Sequence, residues 1–127
     1  MEINKVGLAA IVDGRLLVVR KRGSKIFILP GGKPEGGEND LQTLQREVDE
    51  ELGCMVANPA YLESFSDWAA DHKNTRITVK LFSGELIGEP QPMTEIEEIK
   101  WLDLDETEVP LASSIINHIL PYLRARQ

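Results

Sequence analysis

Cysteine is nearly absent from this sequence: Cys54 is the only one in 127 residues. A single cysteine excludes an internal disulfide and a zinc site built from cysteines, and it fits a reducing compartment. Basic residues are also in the minority, with 14 lysines and arginines against 21 acidic residues and a net charge of −7. The backbone of a nucleic-acid polymer would repel such a chain. We therefore expect no non-specific nucleic-acid binding, although a small phosphorylated ligand can still bind through a cation.

Long hydrophobic runs are absent as well. No segment approaches the roughly 20 apolar residues of a membrane span, and the apolar residues 6–12 are too few for the core of a signal peptide. We therefore expect no membrane association and a cytoplasmic location. The composition, with 42% hydrophobic and 28% charged residues, is typical of a globular protein. The length is typical of one domain.

The apolar pattern predicts an α/β fold. Residues 6–12 should form a buried strand that turns at Asp13-Gly14 into a returning strand, residues 15–20. Further strands are expected over residues 25–29, 55–68, 76–86 and 96–102, with loops at 31–37 and 70–75. A closing helix is predicted over residues 112–126, and Pro121 should kink or divide it. Strands on both sides of a central helix, followed by a last helix, indicate a mixed α/β sandwich.

The central helix should follow the glycine-rich loop and end at Gly53. Asn39 or Asp40 can cap its start. Four apolar residues recur at helical spacing and should pack on the sheet: Leu41, Leu44, Val48 and Leu52.

Three glutamates lie on the same helix. Glu47 and Glu51 are one turn apart, and Glu50 lies on the adjoining arc. Their mutual repulsion would destabilise an isolated helix, and a divalent cation that prefers oxygen ligands, such as Mg²⁺ or Mn²⁺, would remove that cost. Most acidic clusters on helices are solvated surfaces, so the glutamates alone leave both interpretations open. Arg46 can orient a carboxylate through a charged hydrogen bond.

The spacing of the surrounding residues is more specific. Fixed residues recur at set intervals over positions 32–54: Gly32, Glu38, Arg46, Glu47, Val48, Glu50, Glu51, Gly53 and Cys54. This segment resembles the box of the Nudix (MutT-like) hydrolases. Cys54 stands where the family usually has a larger aliphatic residue, and a buried cysteine behaves as a small hydrophobe. The lead-in, residues 27–32, and the segment around Trp101 extend the resemblance over most of the chain.

The resemblance implies a single Nudix hydrolase domain, residues 1–127. Its fold would be an α/β/α sandwich with a mixed β-sheet, a catalytic helix after the glycine-rich loop and a C-terminal helix. It also implies a hydrolase that needs Mg²⁺, with Mn²⁺ as an alternative, and that cleaves a nucleoside diphosphate linked to another moiety. A homodimer, common in the family, is a further expectation.

Individual roles follow from the same resemblance. The metal ligands would be the Gly32 carbonyl, Glu47, Glu50 and Glu51. The catalytic carboxylates would be Glu47 and Glu50, with Glu98 as a later candidate for the general base; a solvated strand edge is the alternative reading of Glu98. Glu38 and Arg46 would support the site without reacting. Arg20 and Lys33 are candidate phosphate-binding residues in a basic cluster; for each of them a solvated surface position is the favoured alternative.

The substrate is less sharply indicated. Signatures of the members that cleave NADH, ADP-ribose or dinucleoside polyphosphates are missing. The short chain therefore favours a (deoxy)nucleoside triphosphate, cleaved to a monophosphate and pyrophosphate. The alternative is a non-catalytic module of the same fold that binds a nucleotide or a protein. Degenerate modules of that kind usually lose a carboxylate of the box, and here Glu47, Glu50 and Glu51 are all present.

Overall fold

The computed structural model describes residues 1–69 and 72–126. The strands in the described part are β1 Glu2–Ala9, β2 Ile11–Val12, β3 Arg15–Lys21, β4 Phe27–Ile28, β5 Gly31–Gly32, β6 Met55–Ala69, β7 His72–Ile87 and β8 Ile96–Asp103. The helices are α1 Asp40–Leu52, a π-helical segment Ile115–Ile119, and α2 Leu120–Ala125.

The strands form two sheets. In the first sheet the order is β5-β1-β7-β6, with β1 parallel to β7 and the other pairs antiparallel. In the second sheet β3 pairs antiparallel with β2, β4 and β8. The first sheet is therefore mixed, as predicted.

Both faces of the sheets are covered. Successive residues of β3 point to opposite sides: Leu16 and Val18 pack in one core with Ile115, whereas Leu17 and Val19 pack in a second core with Leu44 of α1. Two cores on opposite sides of the sheets explain why the four consecutive residues 16–19 of β3 are all apolar. This arrangement confirms the predicted α/β/α sandwich.

Helix α1 begins and ends where the sequence predicts. Asn39 and Gln42 form a reciprocal capping box, with hydrogen bonds of 2.8 and 2.9 Å, and Gly53 ends the helix at a φ of +67°. The apolar stripe is fully buried except at its first residue. The prediction was wrong for Leu41, which is 44% exposed, because it lies in an open depression beside Tyr61.

Two strand predictions need correction. Residues 6–12 do not form one buried strand: β1 ends at Ala9, and the chain crosses to the second sheet, where Ile11 and Val12 of β2 are exposed. The Asp13-Gly14 turn is confirmed by positive φ at both residues. The loop predicted at 70–75 is shorter, because β7 begins at His72 and continues its pairing with β6. Residues 70 and 71 lie outside the described residues.

The closing helix begins at Ser113 and changes from π-helical to α-helical at Leu120, next to Pro121, without being interrupted. The Leu120 N–H donates to the Ile115 carbonyl five residues earlier. Pro121 then lies in the first turn of α2, where its missing N–H costs no hydrogen bond. None of the helices in the described part of the chain is long and apolar enough to cross a membrane.

Candidate functional site

Two glycines at the edge of the first sheet let α1 approach the backbone. Gly31 and Gly32 pair with Gly7 and Val6 of β1. At Gly31 φ is +147°, and a Cβ there would overlap the Val6 carbonyl oxygen. A Cβ at Gly32 would overlap the Glu47 carboxylate. Glycine is therefore needed at both positions, at Gly31 for strand pairing and at Gly32 for contact with α1.

Glu51 lies against the same two-residue strand. Only 2% of the residue is exposed, and its Oε1 accepts a hydrogen bond from the Gly31 N–H at 3.1 Å. Burial raises the pKa of Glu51 to about 8, and the neighbouring charge of Glu47 adds to the shift. A carboxylate buried this deeply, with one hydrogen bond, is well placed to bind a positive charge.

Glu47 and Glu50 differ in their surroundings. The Glu47 side chain is 17% exposed, and burial raises its pKa against the opposing effect of Arg46. The Glu50 side chain is 44% exposed and accepts a hydrogen bond from Arg46 Nη1 at 3.1 Å. Within residues 1–69 and 72–126, no three His, Cys, Asp or Glu side chains are grouped closely enough to hold a metal ion. Glu50 is instead paired with Arg46.

Arg46 connects the glycine-rich loop to α1. Its guanidinium binds both oxygens of Glu38, at 2.7 and 3.0 Å, and donates to the Lys33 carbonyl at 3.0 Å. Glu47 Oε1 lies 3.5 Å from the same guanidinium. The hydrogen bonds from Arg46 lower the pKa of Glu38 to about 2, and Glu38 in turn raises the pKa of Arg46. Both residues thus hold the loop over the carboxylates.

The other candidates lie elsewhere. Arg20 donates to Glu98 Oε1 from two nitrogens, at 3.2 and 3.1 Å, and to the Ser24 carbonyl at 3.0 Å. The structure therefore pairs Arg20 with Glu98. Among the described residues, neither forms a hydrogen bond or ion pair with the carboxylates of α1. The Lys33 side chain is exposed, in the loop that Arg46 holds.

The basic cluster is matched by acidic residues. Two further pairs follow Arg20–Glu98 across the same edge, Lys21–Glu95 at 3.2 Å and Arg22–Glu97 at 3.5 Å. In this ladder the basic residues 20–22 pair across the edge with the acidic residues Glu95, Glu97 and Glu98. Each set balances the charge of the other.

Lys5 is a residue that the sequence reasoning missed. It lies on β1, one residue before the partner of Gly32, and lines a pocket with Leu29 and Trp68. Burial lowers the pKa of Lys5. The sequence does contain a signal for it, because Lys5 lies on the same face of β1 as Gly7 and Ala9, and that face points inward.

Chemically, the arrangement suits a hard cation. The Glu51 carboxylate lies at the backbone of Gly31 and the Glu47 carboxylate beside Gly32, and carboxylate oxygens are ligands that Mg²⁺ and Mn²⁺ prefer. Burial is the main cause of the raised pKa of Glu47 and of Glu51, and a bound cation would offset the cost of ionising them. The residues present therefore fit a divalent metal ion.

Comparison with known proteins gives a consistent result. The family model described as "NUDIX domain" matches residues 3–123. The chain is 32% identical over 126 residues to the NAD-capped RNA hydrolase NudC of Pseudomonas aeruginosa, covering 88% of this chain and 44% of that protein. It is 31% identical over 85 residues to a CMP-5′-(N-acetyl-N-hydroxy-3-aminopropyl)phosphonate hydrolase of Streptomyces rubellomurinus, covering 67% and 41%. The chain thus spans less than half the length of these relatives.

Solved structures share the fold. A MutT NUDIX hydrolase from Burkholderia pseudomallei superposes with a TM-score of 0.79 at 24% identity, covering 91% of this chain and 94% of that chain. The ORF135 protein of E. coli gives a TM-score of 0.78 at 26% identity, with coverage of 98% and 91%.

Proposed function

Because the chain belongs to the Nudix family, we propose that it is a metal-dependent pyrophosphohydrolase that cleaves a nucleoside diphosphate linked to another moiety. The observation that carries this proposal is the buried Glu51 carboxylate, with Glu47 one turn away, against the accessible backbone of Gly31 and Gly32. A carboxylate buried this deeply is costly to ionise, and a bound cation would offset that cost.

The metal would be held by the Gly32 carbonyl, Glu47 and Glu51. Glu50 would join through a water molecule, or directly after leaving Arg46. Mg²⁺ often keeps several waters and shares its remaining positions between carboxylates and substrate phosphates. When bound, the ion supplies positive charge that offsets the charge of the phosphates and lowers the pKa of a bound water.

The protein side chains supply the proton acceptor. Glu47 is our first candidate for the general base and Glu50 the second, since both lie on α1 beside the glycine-rich loop. Glu98 is the third candidate, because its carboxylate is engaged by Arg20. Arg46 and Glu38 would fix the loop, so that Gly32 and Glu47 keep their relative positions.

For the substrate we propose a (deoxy)nucleoside triphosphate, cleaved to a monophosphate and pyrophosphate. The names of two relatives indicate other linkages, a capped RNA and a CMP-linked phosphonate. The net charge of −7 and the paired basic ladder favour a small nucleotide over a polymer. The alternative function is a non-catalytic nucleotide- or protein-binding module. The intact Glu47, Glu50 and Glu51 favour catalysis.

A substrate screen tests this proposal. The protein would be incubated with Mg²⁺ and nucleoside triphosphates, nucleotide sugars, ADP-ribose, NADH, dinucleoside polyphosphates or capped RNA, with and without a chelator. Products would be resolved by mass. We expect chelator-sensitive release of a monophosphate and pyrophosphate from a triphosphate. Nucleotide binding without turnover on any substrate would instead support the binding module.

A further inference from the structure

The segment between β7 and β8, residues 88–95, contacts the end of α1 at which Glu50 and Glu51 lie. An α-helix leaves the carbonyls of its last turn without donors of its own. Three of these carbonyls in α1 accept a hydrogen bond from this segment: Glu50 from the Thr94 hydroxyl at 2.8 Å, Glu51 from the Met93 N–H at 3.0 Å and Leu52 from the Gln91 N–H at 3.1 Å. The segment thus holds the turn on which two of the proposed metal ligands lie.

Thr94 differs from the other two donors because it acts through its side chain. Its hydroxyl binds the carbonyl of the peptide group that joins Glu50 to Glu51. This one hydrogen bond therefore restrains the backbone between the two carboxylate residues, whereas the N–H groups of Met93 and Gln91 bind later carbonyls. A substitution of Thr94 can remove it and leave the backbone donors in place.

The backbone of Thr94 is strained. Its φ is +57°, in the left-handed region that a β-branched residue rarely adopts. The residue occupies the second position of a turn that is closed by a hydrogen bond of 2.9 Å from the Ile96 N–H to the Met93 carbonyl. Glycine or asparagine is the usual choice where a turn needs a positive φ. Strain of this kind persists only where surrounding contacts hold the residue in place, and it is concentrated at functional sites.

The turn is also held from the side opposite to α1. Arg22 Nη1 donates to the Thr94 carbonyl, and the Arg22 N–H donates to the Glu95 carbonyl at 2.9 Å. Arg22 belongs to the ladder of ion pairs, through Glu97. Thr94 is therefore fixed to the second sheet through its carbonyl and to α1 through its hydroxyl.

We propose that Thr94 is a positioning residue for the metal site: its hydroxyl fixes the peptide group between Glu50 and Glu51, and thereby the direction of both carboxylates. The inference rests on the proposed function and adds to it a residue that lies outside the glycine-rich loop and α1. Thr94 acts through the backbone of α1 and does not itself bind the ion. A hydrogen bond that orients a metal ligand contributes to metal affinity in this way.

The test compares Thr94→Ser, which keeps the hydroxyl, with Thr94→Ala, which removes it. Asn39→Ala is the control, because it removes the cap at the opposite end of α1 and destabilises the same helix without changing its last turn. Binding of Mn²⁺ without substrate would be followed by electron paramagnetic resonance. Melting temperatures would be measured in EDTA, and turnover of a nucleoside triphosphate would be measured at increasing Mg²⁺.

We expect Thr94→Ser to bind Mn²⁺ like the unmodified protein and Thr94→Ala to bind it about tenfold more weakly, the lower end of the loss typical for a contact that orients a metal ligand. Each alanine variant loses a hydrogen bond at one end of α1, so their melting temperatures should fall by similar amounts. Only Thr94→Ala should need more Mg²⁺ for half-maximal turnover.

Equal Mn²⁺ binding by Thr94→Ala and Thr94→Ser, or an equal loss in Asn39→Ala, would overturn the inference and leave the proposed hydrolase activity standing. A loss of Mn²⁺ binding in Thr94→Ala alone, without turnover by any of the proteins, would support the inference and overturn only that activity. No Mn²⁺ binding by the unmodified protein would overturn both.

Discussion

At the residue scale, identical side chains on one helix have different chemistry because their surroundings differ. Glu51 is buried under Gly31, Glu47 lies against Gly32, and Glu50 is held at the surface by Arg46. The spacing in the sequence places all three near one another but does not predict which carboxylate an arginine will take. That choice depends on Arg46 reaching both the loop and the next turn of α1.

The first prediction concerns the stability of Glu51→Gln. The raised pKa of Glu51 means that its contribution to folding is fully present below the unfolded pKa, about 4.3, and is lost as pH rises through about 8. In metal-free protein we expect the melting temperature of Glu51→Gln to fall less than that of the unmodified protein between pH 5 and 9. Differential scanning fluorimetry in EDTA measures this. An equal fall in melting temperature for Glu51→Gln and the unmodified protein over this range would contradict the prediction.

The second prediction concerns acid stability and Glu38. Arg46 lowers the pKa of Glu38 to about 2, so the carboxylate stabilises the fold above its unfolded pKa and loses this effect as pH falls through about 2. Glu38→Gln should therefore melt below the unmodified protein at pH 6 and lose less stability between pH 5 and pH 2. Melting curves across that range measure both. Parallel curves for the two proteins would show that the Arg46 pair contributes nothing to acid stability.

At the scale of elements, signals within a few residues predicted α1 correctly. They failed for β1 and β7, because the ends of these strands depend on the distant strands with which they pair. The cap at Asn39, the stop at Gly53 and the buried stripe all act within a few residues, and the structure confirms them apart from Leu41. The crossing at Ala10 and the extended β7 depend on which distant strand each segment pairs with. Apolar periodicity carries no information about that partner.

The third prediction uses two glycines of one loop. Gly32→Ala places a Cβ on the Glu47 carboxylate without requiring a positive φ. We expect turnover to fall about a hundredfold, because displacing a ligand by about 1 Å has an effect of that size, while the fold is retained.

Gly36→Ala is the control. Its Cβ would meet nothing within 4 Å, but its φ is +54°, so the variant should lose about 1 kcal/mol of stability from backbone strain and keep its turnover. Turnover and melting temperature would be measured for both. Equal activities of Gly32→Ala and Gly36→Ala would argue against close contact between Glu47 and the backbone of Gly32.

At the scale of the whole molecule, the family and the sandwich followed from the sequence because the box is a set of fixed identities at fixed intervals. The roles of residues outside the box could not be predicted from the sequence in this way. Arg20 and Glu98, predicted separately for phosphate binding and for base catalysis, contact each other, and Lys5 entered the picture only through strand pairing. The single domain and the homodimer stay predictions.

Binding of Mn²⁺, followed by electron paramagnetic resonance without substrate, tests the metal site most directly. The matched variants are Glu51→Gln and Asp49→Asn, which removes an exposed carboxylate from the same helix and so corrects for non-specific binding to a chain of charge −7. We predict that the unmodified protein and Asp49→Asn bind the ion alike and that Glu51→Gln loses the site. Equal binding by Glu51→Gln and the unmodified protein would contradict the assignment of α1 as the metal-binding element.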